Sequence, residues 1–417
     1  MRSEWIKVEL GGLIETQKGF AFKSSWYTSF GVPIVRVSDF TDNSISINEI
    51  NFISNDLAQE HSKHQLQFRD ILIQTVGSWQ SNPASIVGKV VTVPLQLDSA
   101  LLNQNAVKII PKTAINKRFL YYRLKEENFK FHNLNHAQGA ANQASITLES
   151  IKKFKFDLPP LQTQRKIASI LSAYDDLIEN NLKRIQLLEE KAQITYEEWF
   201  VKMRFPGYET AKFDEVDLTD LALYFGRGVT PKYEDGSGFW GINQKANKGS
   251  NLEKIHFKEY KKGNWVPTER FAKNGDVLLN SLGEGTIGRC HYYKWKSDVY
   301  PVDQHMTIFR GKTAEISLFI FHFLASEQGQ GVLNSLKKGG TNMTMLNIGD
   351  LRTVRIKIPD SKILISFFDK VEILYDQKSI LENQNELLKE ARDILLPRLM
   401  TGMIDVEELH IETSQIT

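Results

Sequence analysis

The sequence predicts an α+β protein in which a mixed domain followed by a long helix occurs twice. Three observations support this interpretation: landmarks recur at an offset of 200 residues, short β-branched runs alternate with turn residues, and two long segments carry apolar residues at helical spacing. The expected architecture is two similar domains joined by a pair of long antiparallel coiled-coil helices, with pseudo-twofold symmetry.

The internal repeat becomes visible when the sequence is shifted by 200 residues. The matched positions are Leu158-Pro159 with Ile358-Pro359, Asn142 with Asn342, Leu148 with Ile348, Ile151 with Leu351, Asp176 with Asp376, and 187–190 with 387–390. Farther upstream, RDILIQ (69–74) resembles GDVLLN (275–280) at an offset of about 206, which indicates an insertion. An offset that is constant from 142 to 190 is difficult to attribute to chance.

Proline-containing junctions give the predicted domain boundaries. The first domain spans 1–158 and ends at LPP, and the second spans 204–358 and ends at IPD. Each is followed by a predicted long helix, the central one at 159–203 and the C-terminal helix and tail at 359–417.

The domain interiors contain short strand candidates and one compact helix each. The strand candidates are VPIVRVSDF, DILIQTV, SIVGKVVTV and AVKIIP in the first domain, and GDVLLNSL, GRCHYYKW and HMTIFRG in the second. The helix candidates are 116–128 and 316–331. Short β-branched runs with few helices predict antiparallel sheets in an α+β fold.

Each long segment carries an apolar stripe at steps of three and four residues. The first stripe contains Ile167, Leu171, Tyr174, Ile178, Ile185 and Leu188, and the second contains Phe367, Val371, Leu374, Leu381, Leu388 and Leu395. Two such stripes are best buried against each other, as an antiparallel pair. Asn181 interrupts the first stripe and Asn385 lies near the second; they could fix the register or mark an exposed, frayed point.

The composition is that of an ordinary globular protein. Hydrophobic residues make up 41% of the 417 residues, and there is one cysteine, Cys290, which excludes a disulfide framework within the chain. No apolar stretch is long enough for a membrane span. We therefore expect a cytoplasmic protein without a membrane partner.

The net charge of +2 is unevenly distributed. Residues 1–158 hold 18 Lys and Arg against 14 Asp and Glu, and 204–358 hold 22 against 17, whereas 359–417 hold 6 against 12. Basic domains with a neutral and an acidic helical arm suggest a polyanion for the domains and another partner for the arms. Random scatter of a few charges would explain the same numbers.

Catalytic motifs are weak throughout the sequence. GEGTIG (283–288) matches a dinucleotide fingerprint but precedes a strand-like run rather than a helix, so a tight turn is the better interpretation. HNLNH (132–136) lacks the glutamate of a zinc-protease helix, and Cys290-His291 is an isolated pair. The sequence predicts a non-catalytic chain that binds no metal and no cofactor of its own.

Polar loops rich in small residues are the remaining candidate site. Asn, Gln, Ser and Thr can donate and accept at base edges, Lys and Arg bind phosphate or guanine, and glycine permits close backbone approach. Ordinary solvated loops would have a similar composition. The predicted DNA-binding residues are Ser78, Trp79, Gln80, Asn82, Gln104, Asn105, Gly139, Asn142, Gln143 and Ser145 in the first domain, and Lys245, Asn247, Lys248, Asn280, Ser281, Gly283, Gly285, Thr286, Arg289, Lys337, Lys338, Gly340, Thr341 and Asn342 in the second.

Three segments resemble the specificity subunits of type I restriction–modification systems. They are the N-terminal pattern W…V.L…KG.AF…G.PI.R.SD, the central LPPLQTQRKIASILSAYDDLIENNLKRIQLLE (158–189), and LLPRLMTGMIDV (395–406). The resemblance covers essentially the whole chain, including its duplicated layout. The second junction, IPDSK, is the looser copy.

The resemblance implies a function and a set of partners. Its two target-recognition domains would each read half of a split, asymmetric site on double-stranded DNA, and the helices would set the length of the unread spacer. The helices would also dock two methyltransferase (modification) subunits, with restriction/translocase subunits joining that core. S-adenosylmethionine, ATP and Mg are expected on those partners. The alternatives are a protein–protein scaffold without base reading, or a fragment of a fused restriction–methylation enzyme.

Overall fold

The computed structural model describes residues 4–41, 44–47, 50–79, 85–139, 143–263, 266–283, 285–295, 300–339 and 344–409. The chain forms two compact units. Unit 1 consists of Met1–Ile178 and Leu387–Thr417, and unit 2 consists of Glu179–Glu386.

The described part of unit 1 contains short strands and short helices. Its strands are β1 (Ile6–Glu9), β2 (Ile14–Lys18), β3 (Val32–Val35), β4 (Asn51–Ile53), β5 (Ile71–Gln74), β6 (Val76–Gly77), β7 (Val90–Thr92), β8 (Leu101–Leu102), β9 (Ala106–Pro111), β10 (Ala144–Ser145) and β11 (Lys155–Leu158). Its helices are α1 (Asn55–Glu60), α2 (Lys117–Lys125), α3 (Glu127–His136) and α4 (Leu148–Lys152).

Two long helices, α5 (Leu161–Tyr196) and α9 (Ser361–Met400), contribute residues to both units. The strands of unit 2 are β12 (Phe213–Asp217), β13 (Ala222–Arg227), β14 (Trp240–Gly241), β15 (Lys258–Glu259), β16 (Val277–Asn280), β17 (Cys290–Tyr292), β18 (Met306–Gly311), β19 (Lys337–Lys338), β20 (Met345–Leu346) and β21 (Arg355–Pro359). Its shorter helices are α6 (Ala314–Ala325), α7 (Glu327–Ser335) and α8 (Ile348–Arg352).

A four-stranded antiparallel sheet separates two hydrophobic cores in unit 1. The strand order is β2-β9-β5-β7. Ile71 and Ile73 belong to the same core as the helix residues Phe119 and Leu171, whereas Leu72 between them belongs to the opposite core. Because side chains alternate along a strand, β5 is buried on both faces.

Unit 2 contains a sheet of the same design. Its order is β13-β18-β16-β17, and Val277 and Leu279 pack with the helix residue Phe367 while Leu278 packs into the other core. In both units the first strand pairs with the strand that precedes a long helix, β1 with β11 and β12 with β21. The repeated sheet order confirms the predicted α+β fold with two similar domains.

The two compact helices predicted at 116–128 and 316–331 are each a pair of helices in the structure. The chain leaves the helical conformation at Glu126 (ψ 150) and at Ser326 (ψ 161) before α3 and α7 begin. Ser326 stops the continuous helix because its side chain caps α7, accepting a hydrogen bond from the N–H of Gly329 at 3.2 Å. Glu126 and Ser326 are 200 residues apart, so the break between the two helices is part of the internal repeat.

The long helices run antiparallel within each unit. In unit 2, the Asn181 Nδ2 donates to Asn385 Oδ1 at 2.9 Å, and the Lys378 ammonium contacts Glu189 at 2.6 Å. In unit 1, Arg392 lies 2.5 Å from an Asp175 oxygen. The α5 residues nearer its start, such as Leu171, share a core with Met400 near the end of α9.

Most of the predicted stripe residues lie in these interfaces. Those that are buried are Ile167, Leu171, Ile178, Ile185, Phe367, Val371, Leu374 and Leu381. Those that are half-buried are Tyr174, Leu188, Leu388 and Leu395. In the part of the chain that the structure describes, none of the helices combines the length and apolar character needed to cross a membrane.

Candidate nucleic-acid interface

Three predicted polar loops of unit 1 meet beyond the end of strand β5. Strand β6 pairs with β10, which joins the loop that starts at Gly77 to the loop that ends at Ser145. The carbonyl of Asn105 accepts a hydrogen bond from the N–H of Thr75 at 2.8 Å, which attaches the third loop. The sequence places these loops up to 60 residues apart, and the sheet gathers them at one edge.

The predicted residues of unit 1 differ in exposure. Gln104, Asn105, Gly139, Gln143 and Ser145 are exposed, and Ser78 and Trp79 are half-buried. Asn105 has a φ of 71°, a left-handed conformation that asparagine tolerates better than most residues. Three other predicted residues, Gln80, Asn82 and Asn142, lie outside the described residues.

The predicted loops of unit 2 are also joined by backbone and side-chain hydrogen bonds. The N–H of Asn280 donates to Arg289 O, and the N–H of Leu346 donates to Ser281 O, both at 2.9 Å. The side-chain amide of Asn280 donates to Gln244 O at 2.9 Å. These contacts bring the loops near 245, 285 and 340 to the end of strand β16.

Three residues predicted to contact DNA in unit 2 lie in the interior instead. Asn247, Asn280 and Ser281 have no exposed surface. Asn247 Nδ2 donates to Asn280 Oδ1 at 3.1 Å, and Ser281 shares a hydrogen bond with Thr307 at 2.7 Å. Because their polar groups serve the backbone and each other, these side chains hold the loops together and do not face a ligand.

The other predicted residues of unit 2 lie at or near the surface. Lys245, Lys248, Gly285 and Lys338 are exposed, and Gly283, Thr286, Arg289 and Lys337 are half-buried. Two of the lysines are paired, Lys338 with Asp350 at 2.6 Å and Lys248 with Glu253 at 3.3 Å. Gly340, Thr341 and Asn342 lie outside the described part of the chain.

An arginine-rich groove of about 740 Å³ lies beside these loops in unit 2. Its lining includes Arg227, Arg270 and Arg352. Their guanidinium groups donate to backbone carbonyls, Arg352 to Phe225 O at 2.7 Å and Arg270 to Gly228 O at 3.4 Å, with Arg227 bonded to Leu346 O.

The three guanidinium groups carry a net positive charge into this groove. Among the described residues, these three groups donate to backbone carbonyls, and none of the three forms an ion pair with a carboxylate. Burial lowers the pKa of Arg227 from its usual value, but an arginine side chain stays charged in proteins. Positive groups that hold backbone carbonyls and lack acidic partners suit an anion such as a phosphate.

A tight turn at 303–305 presents two polar side chains to the same groove. The Asp303 carboxylate is buried and accepts hydrogen bonds from the N–H and the Nδ1 of His305, at 2.8 and 2.7 Å. The Thr230 hydroxyl donates to Gln304 Oε1 at 2.7 Å. Gly228 lies under the turn, where a Cβ atom would come within 2.1 Å of Val302 O, so only glycine permits this approach.

Gln304 and His305 were missed by the sequence-based prediction, although a signal for them existed. They correspond at the offset of 200 to Gln104 and Asn105, which were predicted. The backbone contacts also correspond, because the N–H of Gln104 donates to Phe20 O at 2.9 Å and that of Gln304 donates to Val229 O at 2.8 Å. A shift of Gln104 and Asn105 by 200 residues would have identified Gln304 and His305 as candidates.

The turn of unit 1 lies beside an aromatic cluster that the sequence analysis also missed. The rings of Phe20 and His61 stack with centroids 4.1 Å apart, and Trp26 lies 6.0 Å from His61. The Lys23 ammonium lies 5.4 Å from the Trp26 ring. The two units therefore share a backbone hydrogen bond at this turn and differ in the side-chain chemistry around it.

The weak catalytic motifs form ordinary packing contacts. Burial raises the pKa of Cys290 to about 12, so its thiol is not an activated nucleophile. The rings of His132 and His136 are in contact, with centroids 4.4 Å apart, and His132 is bonded to Ser150 O at 2.8 Å. Within the described residues, there is no group of three or more His, Cys, Asp or Glu placed to hold a metal ion.

The repeated fold places a cluster of polar loops at the end of the same strand in each of two similar domains. The model of the type I restriction modification DNA specificity domain matches residues 2–190 and 212–393. These matches cover most of the sequence, and the chain belongs to this family. The predicted resemblance is therefore confirmed.

Several curated relatives extend this similarity. The MjaIX specificity subunit of Methanocaldococcus jannaschii is 27% identical, over 74% of this chain and 73% of the relative. The HindI specificity subunit of Haemophilus influenzae is 24% identical, over 96% and 100% of the two chains. Both are specificity subunits of type I restriction enzymes, which agrees with the prediction of a non-catalytic chain.

Two solved structures are also similar along most of their length. The S subunit of a type I restriction–modification system from M. genitalium has a TM-score of 0.49 and 15% identity, covering 95% of this chain and 96% of that one. The HsdS subunit from Thermoanaerobacter tengcongensis has a TM-score of 0.35 and 16% identity, covering 96% and 97%.

Proposed function

We propose that this chain is the DNA-recognition subunit of a type I restriction–modification complex and reads a bipartite, asymmetric site. Each unit would read one half of that site. The observation that carries the proposal is that both units gather three separate polar loops at the end of the same strand of the same sheet. A binding element that occurs twice in one chain suits a ligand with two separate sites.

The groove of unit 2 supports double-stranded DNA as that ligand. Arg227, Arg270 and Arg352 have no carboxylate partner among the described residues, so their charge is available to phosphates. Phosphate contacts provide affinity that falls with salt concentration, and they position a protein without selecting a sequence. Selection would come from the exposed polar side chains of the loops.

The long helices would carry the other two functions of the subunit, spacing and assembly. A rigid antiparallel helix pair would fix the number of unread base pairs between the two half-sites. Reading both halves from one frame raises the effective concentration of the second contact, so the two affinities multiply.

Exposed apolar residues on both helices support docking of two methyltransferase subunits. In unit 2, Leu187 and Ile194 are seven residues apart on α5, and Ile373 and Ile380 are seven residues apart on α9. Each of them is about half exposed or more, which is unusual for aliphatic residues at regular spacing. Residues seven apart on a helix form a stripe that a helix of a partner can cover.

The chemistry of the complex would belong to those partners. S-adenosylmethionine, ATP and Mg would bind the methyltransferase and restriction/translocase subunits, in the cytoplasm. An adenine flipped from the duplex would be received by the methyltransferase.

The proposal is tested by mapping methylated adenines in cells that carry the methyltransferase subunit with or without this chain. We expect one split motif, two short specified sequences flanking an unspecified spacer, that appears only when this chain is present. A scaffold without base reading would give methylation that has no sequence motif, or a motif that does not depend on this chain.

A further inference from the structure

We propose that Gln304 and His305 together read one adenine in the half-site recognised by unit 2, with Asp303 and Thr230 fixing their hydrogen-bonding roles. This inference rests on the proposed function and goes beyond it by naming the base and the atoms. The four residues lie in one groove or directly behind it.

Asp303 fixes the tautomer of His305. Its Oδ1 lies 2.7 Å from His305 Nδ1, and a carboxylate can only accept, so Nδ1 carries the proton. In the neutral imidazole the other nitrogen, Nε2, is then an acceptor. Asp303 is itself held because its second oxygen accepts a hydrogen bond from the Tyr233 hydroxyl at 3.2 Å.

Thr230 fixes the amide of Gln304 in the complementary way. Its hydroxyl donates to Gln304 Oε1 at 2.7 Å, which turns the acceptor end of the side chain toward Thr230. The Nε2 end is left as a donor. A free glutamine can read adenine alone with both ends of its amide, but here Oε1 is engaged with Thr230 and His305 supplies the acceptor.

The backbone holds this pair of groups in place before any ligand arrives. The N–H of Gln304 donates to Val229 O at 2.8 Å, and the His305 carbonyl accepts from the N–H of Ser281 at 3.0 Å. Since both residues are anchored on two sides, little conformational freedom is lost when they bind.

A donor and an acceptor that line one groove match the major-groove edge of adenine. Adenine presents N7 as an acceptor and the N6 amino group as a donor, whereas guanine presents two acceptors. Gln304 Nε2 would donate to N7, and His305 Nε2 would accept from N6. The arginines of the groove would contact the flanking phosphates.

The test uses the complex of this chain with its methyltransferase and modified DNA duplexes. First, the methylation motif of the His305→Ala complex is compared with that of the unaltered complex. We expect one adenine position, in the half-site read by unit 2, to lose its preference while the other half-site is unchanged. The control is His256→Ala, which removes another half-buried histidine of unit 2 outside the groove.

Second, that adenine is replaced in the duplex by purine, which lacks the N6 amino group. Binding by the unaltered complex should weaken by about tenfold, whereas binding by the His305→Ala complex should not weaken further. The analogue 7-deazaadenine lacks N7 and tests Gln304 in the same way. It should weaken binding by the unaltered complex, and it should not weaken binding by the Gln304→Ala complex further. The comparison of adenine with purine uses only the unaltered complex, so its result does not depend on whether a variant folds.

The outcomes separate the inference from the proposed function. A motif that depends on this chain but is unchanged by His305→Ala, or relaxes at a base other than adenine, overturns the inference alone. Equal binding of adenine and purine by the unaltered complex overturns it as well. Methylation without any motif overturns the proposed function.

Discussion

Buried polar side chains in this protein hold one another in defined positions. Asn181 and Asn385, one from each long helix, are buried and joined by a 2.9 Å hydrogen bond in unit 2. A shift of either helix by one turn would leave both amides without this partner in an apolar interface, which costs about 1–3 kcal/mol for each unsatisfied group. Of the two interpretations open from the sequence, the structure favours the one in which these residues fix the register.

His322 makes the stability of unit 2 depend on pH. It lies on α6 and is buried against the two long helices, with Nδ1 2.9 Å from Gln193 Oε1, and burial lowers its pKa to about 3. The unfolded chain takes up a proton near pH 6.5 and the folded unit does not, so the stabilisation is complete above pH 6.5 and is lost as the pH falls toward 3. From pH 7 to pH 5 the unfolding free energy should fall by about 2 kcal/mol from this residue.

Chemical denaturation at the two pH values tests this prediction. The His322→Gln variant, which keeps a hydrogen-bonding side chain, should lose less stability between pH 7 and pH 5 than the unaltered protein. His136→Gln in unit 1, where the histidine is exposed, is the control and should leave the difference unchanged. Equal losses for His322→Gln and the unaltered protein would show that His322 is not the responsible group.

Single residues were only partly predictable from the sequence. Gln104 and Asn105 were identified and are exposed, but Asn247 and Asn280 were identified for the same reason and are buried. Polarity in a loop does not reveal whether a side chain serves a ligand or the loop's own backbone, because both uses need the same amide group. That difference requires the tertiary structure.

At the level of elements, apolar periodicity predicted the long helices well. The stripes through Leu171 and Val371 are buried as their spacing requires, and α5 and α9 begin just after the proline-containing junctions at 159 and 359. The breaks at Glu126 and Ser326 were not predicted, because the apolar pattern continues across them. At Ser326 the capping side chain starts a new helix, although helix propensity would favour continuation of the first one. The sequence signal for this break is a single serine.

The exposed stripe of α9 gives a prediction about assembly. Replacing Ile373 and Ile380 with Asp should abolish or weaken binding of the methyltransferase subunit at least tenfold, because charged groups would have to be desolvated against an apolar partner surface. The fold of unit 2 should persist, since both side chains are about half exposed. Size-exclusion chromatography and titration calorimetry with the methyltransferase measure the effect.

The matched control replaces the same two isoleucines with leucine, which keeps both positions apolar and is a good helix former. This change should leave the affinity for the methyltransferase unchanged. If both double variants bind equally well, the stripe through Ile373 is not the docking surface.

For the whole molecule, the repeat was the most informative feature of the sequence. It predicted two domains of one fold from matches such as Asn142 with Asn342, and the structure repeats the sheet order as well. The strand order of the sheet could not be derived from the sequence. Its adjacent strands β5 and β9 are separated by more than 30 residues of chain, and no local pattern indicates that they pair. The division of side-chain chemistry between the units, arginines in one and stacked rings in the other, also required the structure.

The central claim is that each unit independently reads one half of a bipartite DNA site. The most direct measurement is the methylation motif of a chain in which residues 204–358 are replaced by the same domain of a relative with a different motif. We expect the half-site assigned to unit 2 to change to that of the relative, while the other half-site and the spacer length stay the same. A change in both half-sites, or in neither, would contradict independent reading by two units.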